Sequence, residues 1–252
     1  MIVSFAVSGN NELAGEKEPG YSEDGGYMGS YTIVGGRPAC GEVTISGNKN
    51  AALACLAATL LTDDEVVLRN VPEIEDVLVM LRILSAIGSS VTKEDTHTVR
   101  IRSGNRVGVL QPDLVDAVRG SILFAGPLLA TRGSVHLPPP GGDVIGLRRL
   151  DTHFLGLSSL GADCSVLEDG TLFMKTKGRR LEANDVFLDE TSVTATENII
   201  MAASLAKGTT IIRNAASEPH VEDLCVMLGK MGCSIGGIGS NVLRVDGMDH
   251  LH

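Results

Sequence analysis

Apolar and polar positions along the chain form a block that returns three times. AATLLTDDEVVLRNVPEIEDV from Ala57, AGPLLATRGSVHLPPPGGDVI from Ala125 and AASLAKGTTIIRNAASEPHVED from Ala202 follow one plan. Each runs from the end of a small-residue apolar helix through a polar turn into a β-branched strand, then a polar or proline-containing break. A second helix follows and ends in LSAIGSSV, LSSLGADC or LGKMGCSI. Glycine directly after an apolar helical run predicts a left-handed cap. HTVRIRSG, TLFMKTKG and NVLRVDG then close the units as strands.

The pattern predicts an α/β (α+β) fold over residues 49–248, made of three helix–strand–helix–strand–strand units of about seventy residues each. No single unit can bury its own apolar faces, so the three must share one core. The opening helices, within NKNAALACLAATLL, VDAVRGSILFAGPLLA and SVTATENIIMAASLA, carry small residues on all faces. They are expected at the centre with the sheets outside. Their N-terminal ends, gathered together, would offer unpaired N–H groups and positive dipole ends to an anion.

Composition narrows the function. The 252 residues are 43% hydrophobic, with a formal net charge of −10 and no lysine- or arginine-rich block. Nucleic acid is therefore excluded as a partner, since phosphate neutralisation needs clustered positive charge. Aromatic residues at 3% leave no base-stacking platform. Five scattered cysteines without a CxxC pair argue against zinc and redox chemistry and fit reduced thiols in a cytoplasmic protein. No apolar stretch is long enough to span a bilayer, and the first residues lack the layout of a signal peptide. Residues 1–30 read as an acidic, glycine-rich disordered tail.

Four segments carry candidate chemistry. In SGNKNAALA, Lys49 and Asn50 open an alanine-rich helix, where a lysine can add a point charge to a dipole-favoured phosphate. A solvated capping segment explains this stretch equally well. Arg119 sits near the start of an otherwise apolar helix, as an anion ligand or as a snorkelling arginine. In DETSVTATENI, Ser192 and Thr194 suit a plain N-cap. The segment LPPPGGDVIGLRRLDTH, residues 137–153, joins proline stiffness to glycine freedom and reads as a shaped lid. Its Arg148 and Arg149 could clamp phosphates, and Asp151 and His153 could complete a polar ring. Asp143, Asp151 and His153 lack a recognisable metal-ligand spacing. RNAASEPHVED, with Glu218 and His220, reads as structural, leading into a helix.

GEVTISGNKNAAL, RGSILFAGPLLA, LPPPGGDVIGLRRLDTHFLGLSSLGA and TSVTATENIIMAASLAKGTTIIRNAASEP occur in one order. Together they resemble the UDP-N-acetylglucosamine 1-carboxyvinyltransferases of the enolpyruvyl transferase family, from Tyr31 to about Gly247. The resemblance implies two similar three-repeat domains with an active site in the cleft between them. It implies transfer of the enolpyruvyl group of phosphoenolpyruvate to the 3′-hydroxyl of UDP-N-acetylglucosamine, by addition and elimination. This is the first committed step of peptidoglycan synthesis, and no metal or organic cofactor is implied.

Carried over by resemblance, Lys49 and Arg148 hold the phosphoenolpyruvate phosphate. Asn50 contacts the amino-sugar nucleotide, and Arg119 is an active-site arginine. Arg148, Asp151 and His153 lie in the segment around the uridine, where Arg149 replaces a common proline, while Ser192 and Val193 meet the diphosphate. Asp143 stands where most members have a loop cysteine that assists proton transfer. A carboxylic acid can do that work if loop closure raises its pKa. Glu190 and Thr194 depart from the common pattern.

Relative to the family, most of the second domain is missing. Residues 31–48 are expected to form a strand hairpin belonging to that domain. The chain is accordingly expected to be inactive alone. The alternative is a non-catalytic half-protein that binds a UDP-sugar or a partner, such as a complementary C-terminal half. A sister activity on shikimate 3-phosphate is disfavoured by the uridine-type segment.

Overall fold

The computed structural model describes residues 41–104, 109–142 and 149–252. The chain divides into two units, Met1–Ser46 and Gly47–His252, and every element below belongs to the second. The tail expected over 1–30, most of the hairpin expected over 31–48, Asp143 and Arg148 lie outside the described residues.

The threefold repeat is present. The first unit runs α1 (Lys49–Ala58), β1 (Glu65–Leu68), α2 (Glu75–Ala86), β2 (Ser90–Lys93) and β3 (Val99–Arg102). A short helix, α3 (Pro112–Asp116), leads to the second unit. That unit contains a 3-10 turn (Arg119–Phe124), α4 (Ala125–Arg132), β4 (Ser134–Leu137), α5 (Asp151–Ser159), β5 (Ala162–Val166) and β6 (Leu172–Thr176). After β7 (Asp185–Phe187) the third unit repeats the order with α6 (Val193–Ala203), β8 (Thr209–Arg213), α7 (Pro219–Lys230), β9 (Ser234–Gly236) and β10 (Val242–Asp246).

Each unit builds one antiparallel sheet with its last strand in the middle: β1-β3-β2, β4-β6-β5 and β8-β10-β9. The pairs Leu68–Val99, Leu137–Leu172 and Ile212–Leu243 occupy matching places and turn apolar side chains toward the core. β7 adds a parallel strand to the third sheet. Among the described residues no helix is long and apolar enough to cross a membrane.

The predicted caps are also there. Gly88, Gly161 and Gly232 follow α2, α5 and α7 with φ of 100°, 88° and 101°. Each donates its N–H to the carbonyl three residues back. A Cβ at Gly161 or Gly232 would meet open space, so the left-handed backbone alone calls for glycine there.

α1, α4 and α6 form the centre. In α6 every residue from Ala195 to Ala203 is buried, including Thr196, Glu197 and Asn198. Small residues let the helices close in: a Cβ at Gly126 would come within 2.3 Å of the Asn198 carbonyl oxygen. The opening helix of the second unit is not continuous as its pattern suggested. Pro127 has no N–H and its ring crowds the carbonyl four residues back, so the α-helix begins only at Ala125 and a 3-10 turn precedes it. Asn198 fills the break. Its Oδ1 accepts from Gly126 N–H at 2.6 Å and its Nδ2 donates to the Ile122 carbonyl at 2.9 Å. The side chain thus replaces the missing helical bond between those two backbone groups.

Candidate functional site

The leading helix ends of all three units converge on one cavity of about 420 Å³. Lys49 and Asn50 come from α1, Arg119 and Gly120 from the 3-10 turn, and Val193 and Thr194 from α6. Asp76, Gly142, Glu197, Glu218 and His220 also line it. Of the residues expected from sequence, Lys49, Asn50, Arg119 and Val193 are therefore brought together.

Local structure fixes each of them. Asn48 caps α1, its side chain accepting from Ala51 N–H at 3.0 Å. Lys49 and Asn50 follow at once, beside the positive end of the helix. Lys49 Nζ reaches Asp76 Oδ2 at 2.8 Å. Both side chains are well exposed, so the pair is weak and Lys49 can turn to a stronger anion. Ser192 caps α6, as the plainest reading of that segment had it, accepting from Ala195 N–H at 3.4 Å. Arg119 donates to the Pro140 carbonyl at 3.0 Å and so ties the loop base to the cavity. Gly142 N–H is held by the Asp116 carbonyl at 2.8 Å.

The remaining expected residues divide. Arg149 and Asp151 do not line the cavity: they pair with each other through Nε at 2.8 and 3.0 Å and a further short contact. Arg149 also approaches Asp189 at 3.6 Å. The Arg149 guanidinium holds the Asp151 carboxyl below its usual range. His153 is not on the wall beside Asp151. Both lie on α5, and residues two apart on a helix face away from each other. Asp151 is exposed, whereas His153 is 1% exposed.

His153 underlies the cavity instead. Asn198 Nδ2 donates to its Nδ1 at 3.1 Å, which leaves the proton on Nε2 to donate to Thr194 Oγ1 at 3.1 Å. Burial, helped by the nearby Arg119 charge, pushes the imidazole pKa down to about 3. A neutral ring thus positions Thr194 on the cavity wall.

Sequence reasoning passed over Glu197, Glu218 and His220 as cavity residues. Thr196 Oγ1 accepts from Ala216 N–H at 3.0 Å and holds the segment leading to Glu218 against α6. Among the described residues Glu197 Oε1, Glu218 Oε2 and His220 Nε2 are buried atoms with no hydrogen-bond partner. Burial, then the Glu218 charge, pushes the Glu197 carboxyl up to about 8. The signal available in sequence was a carboxylate and an amide side by side in an otherwise apolar helix, ATENIIMAA. Among the described residues burial raises the thiols, Cys55 and Cys225 up to about 12 and Cys233 to about 11, with Cys164 raised as well. Among the described residues no cluster of three His, Cys, Asp or Glu side chains is arranged to hold a metal ion.

The comparisons with known proteins agree with this architecture. The chain is 52% identical over 226 residues to the UDP-N-acetylglucosamine 1-carboxyvinyltransferase of Treponema denticola, covering 89% of this chain and 52% of that protein. It is 46% identical over 218 residues to the protein of the same name from Bradyrhizobium diazoefficiens, covering 86% and 50%. The chain spans about half the length of the curated relatives it matches.

Among solved structures, the enolpyruvyl transferase NikO from Streptomyces tendae shares the fold with a TM-score of 0.70 at 22% identity, over 82% of this chain and 48% of that one. An EPSP synthase from Acinetobacter baumannii does so with a TM-score of 0.66 at 20% identity, over 83% and 47%. The family model for EPSP synthase (3-phosphoshikimate 1-carboxyvinyltransferase) matches residues 33–252. By this match, and by a threefold repeat that its structure repeats strand for strand, the chain belongs to the EPSP synthase family.

Proposed function

We propose that the chain carries the substrate-holding half of an enolpyruvyl transferase that moves the enolpyruvyl group of phosphoenolpyruvate to the 3′-hydroxyl of UDP-N-acetylglucosamine, in the cytoplasm, for peptidoglycan synthesis. The observation that carries this reading is the convergence of Lys49, Asn50, Arg119 and Val193, one or two from each repeat, on a single cavity. In this reading Lys49 and Arg148 hold the phosphate of phosphoenolpyruvate, and Arg119 adds charge at the cavity wall. Asn50 contacts the amino sugar, and Ser192 and Val193 meet the diphosphate at the start of α6. Arg149, Asp151 and His153 belong to the uridine-facing segment, with His153 acting through Thr194 rather than by contact. Asp143, next to Gly142, protonates the methylene carbon during addition. A proton leaves the resulting methyl group in elimination, when phosphate departs.

The resemblance assigns the base for the sugar hydroxyl to a second domain, so the chain alone is expected to bind the nucleotide sugar without turnover. Titration calorimetry tests this. UDP-N-acetylglucosamine should bind, shikimate 3-phosphate should not, and Arg119→Ala should weaken binding by about tenfold, the loss of one charged contact. Binding of shikimate 3-phosphate in place of the nucleotide sugar would refute the substrate assignment. Phosphate release by the pure chain, lost in Arg148→Ala, would refute the expected inactivity.

A further inference from the structure

The cavity holds more buried acid than its expected ligands require. Glu197 is 2% exposed, its Oε1 has no partner among the described residues, and it faces the same cavity as Lys49 and Arg119. Glu218 brings a second carboxyl to that cavity with its own unpartnered Oε2. Among the described residues the cations lining it are Lys49, which also pairs with Asp76, and Arg119. An ionised Glu197 would stand buried and unpaired beside Glu218 and a bound anion, and a buried charge without a partner costs several kcal/mol.

We propose that Glu197 couples anion binding to proton uptake: an anion of the phosphate class, seated beside Lys49 and Arg119, binds with the Glu197 carboxyl protonated. This deepens, and rests on, the reading that the cavity takes a phosphate-bearing ligand. The protonated carboxyl places an O–H donor at the floor of the cavity where a carboxylate would repel the ligand. Burial and Glu218 already push Glu197 up to about 8 before any anion arrives. A bound anion raises proton affinity further, and by reciprocity proton loss weakens the anion.

The titratable and charged groups around Glu197 are consistent with this direction. α7 brings His220, Asp223 and Cys225, its N-cap is Glu218, and α1 brings Lys49 and Cys55. Asp76 and Arg119 complete the cavity rim, and His153 beneath is neutral. Both thiols stay protonated across the neutral range, with values of about 12.

The test uses sulfate, whose charge is constant from pH 6 to 10, and carbon NMR of the chain labelled at glutamate carboxyl carbons. The Glu197 signal is assigned by its loss in Glu197→Gln, and observing that carbon directly separates it from His220. It should titrate above pH 7, and saturating sulfate should raise its midpoint by about one pH unit. Sulfate affinity should fall about fivefold from pH 7 to 9 in the unsubstituted chain and stay flat in Glu197→Gln.

A Glu197 carboxyl that titrates near pH 4.5, or whose midpoint sulfate leaves unmoved, overturns the proposal. So does a Glu197→Gln chain that keeps the full pH dependence. If sulfate does not bind at all, the coupling falls together with the anion site. If it binds without moving Glu197, the coupling alone falls.

Discussion

Asn198 and His153, on neighbouring helices of the core, meet through Nδ2 and Nδ1 at 3.1 Å. The same amide also restores the helical bond broken before Pro127, between Gly126 and Ile122. One side chain therefore joins the second unit's helix start to the imidazole that supports Thr194. Replacing Asn198 by Ala strands Gly126 N–H and His153 Nδ1, each costing about 1–3 kcal/mol when left unpaired, and takes one of two donors from the Ile122 carbonyl. Partial relaxation should leave a net loss of about 3 kcal/mol in urea unfolding. Asn198→Asp should lose most of this too, since a carboxylate cannot donate to Ile122 or His153.

His153 gives the stability curve a sign. Its pKa falls from an ordinary 6.5 to about 3 on folding. Between those values the unfolded chain binds the proton and the folded chain does not, so stability drops as pH falls through that window. Urea unfolding at pH 7 and pH 5.5 should show the loss, and His153→Gln, although less stable overall, should show a shallower slope.

Glu197 acts in the opposite sense. Its folded pKa, about 8, lies above the ordinary 4.5, so the folded chain holds the extra proton. That contribution is complete below about pH 4.5 and is lost as pH rises through 8. From pH 6.5 to 8 the unsubstituted chain should lose about 2 kcal/mol that Glu197→Gln does not lose, read from unfolding midpoints at the two pH values.

Asp143 predicts a chemical difference. A carboxylate is a far weaker nucleophile toward an epoxide than a thiolate, so treatment with a small epoxide should leave Asp143 unalkylated. Mass spectrometry should find no added mass on the chain as it stands, and one adduct at residue 143 in Asp143→Cys. Cys55, Cys225 and Cys233 should stay unmodified, because burial keeps them as thiols.

Much of the fold was legible because it depends on local rules. Gly88, Gly161 and Gly232 mark helix ends by backbone conformation alone, and the β-branched runs mark the strands. The small residues of α1 and α6 announced their burial. Less legible were features set by tertiary neighbours. His153 lies in a charged segment and reads as exposed, yet the turn of α5 carries it inward while Asp151 faces out. Arg149 and Asp151 read as two ligands, and their pairing with each other shows only in the structure. Glu197 reads as a stray polar residue until α6 is seen buried on every side, with α7 bringing Glu218 to the same cavity.

The central claim is that the helix starts of the three repeats form one substrate site. Backbone and side-chain NMR of the labelled chain, titrated with UDP-N-acetylglucosamine, tests it most directly. The account predicts saturable shifts at Asn50, Arg119, Val193 and Thr194, with the sheets unmoved. Saturable shifts confined to residues away from that cavity, or no shift at millimolar ligand, would contradict it.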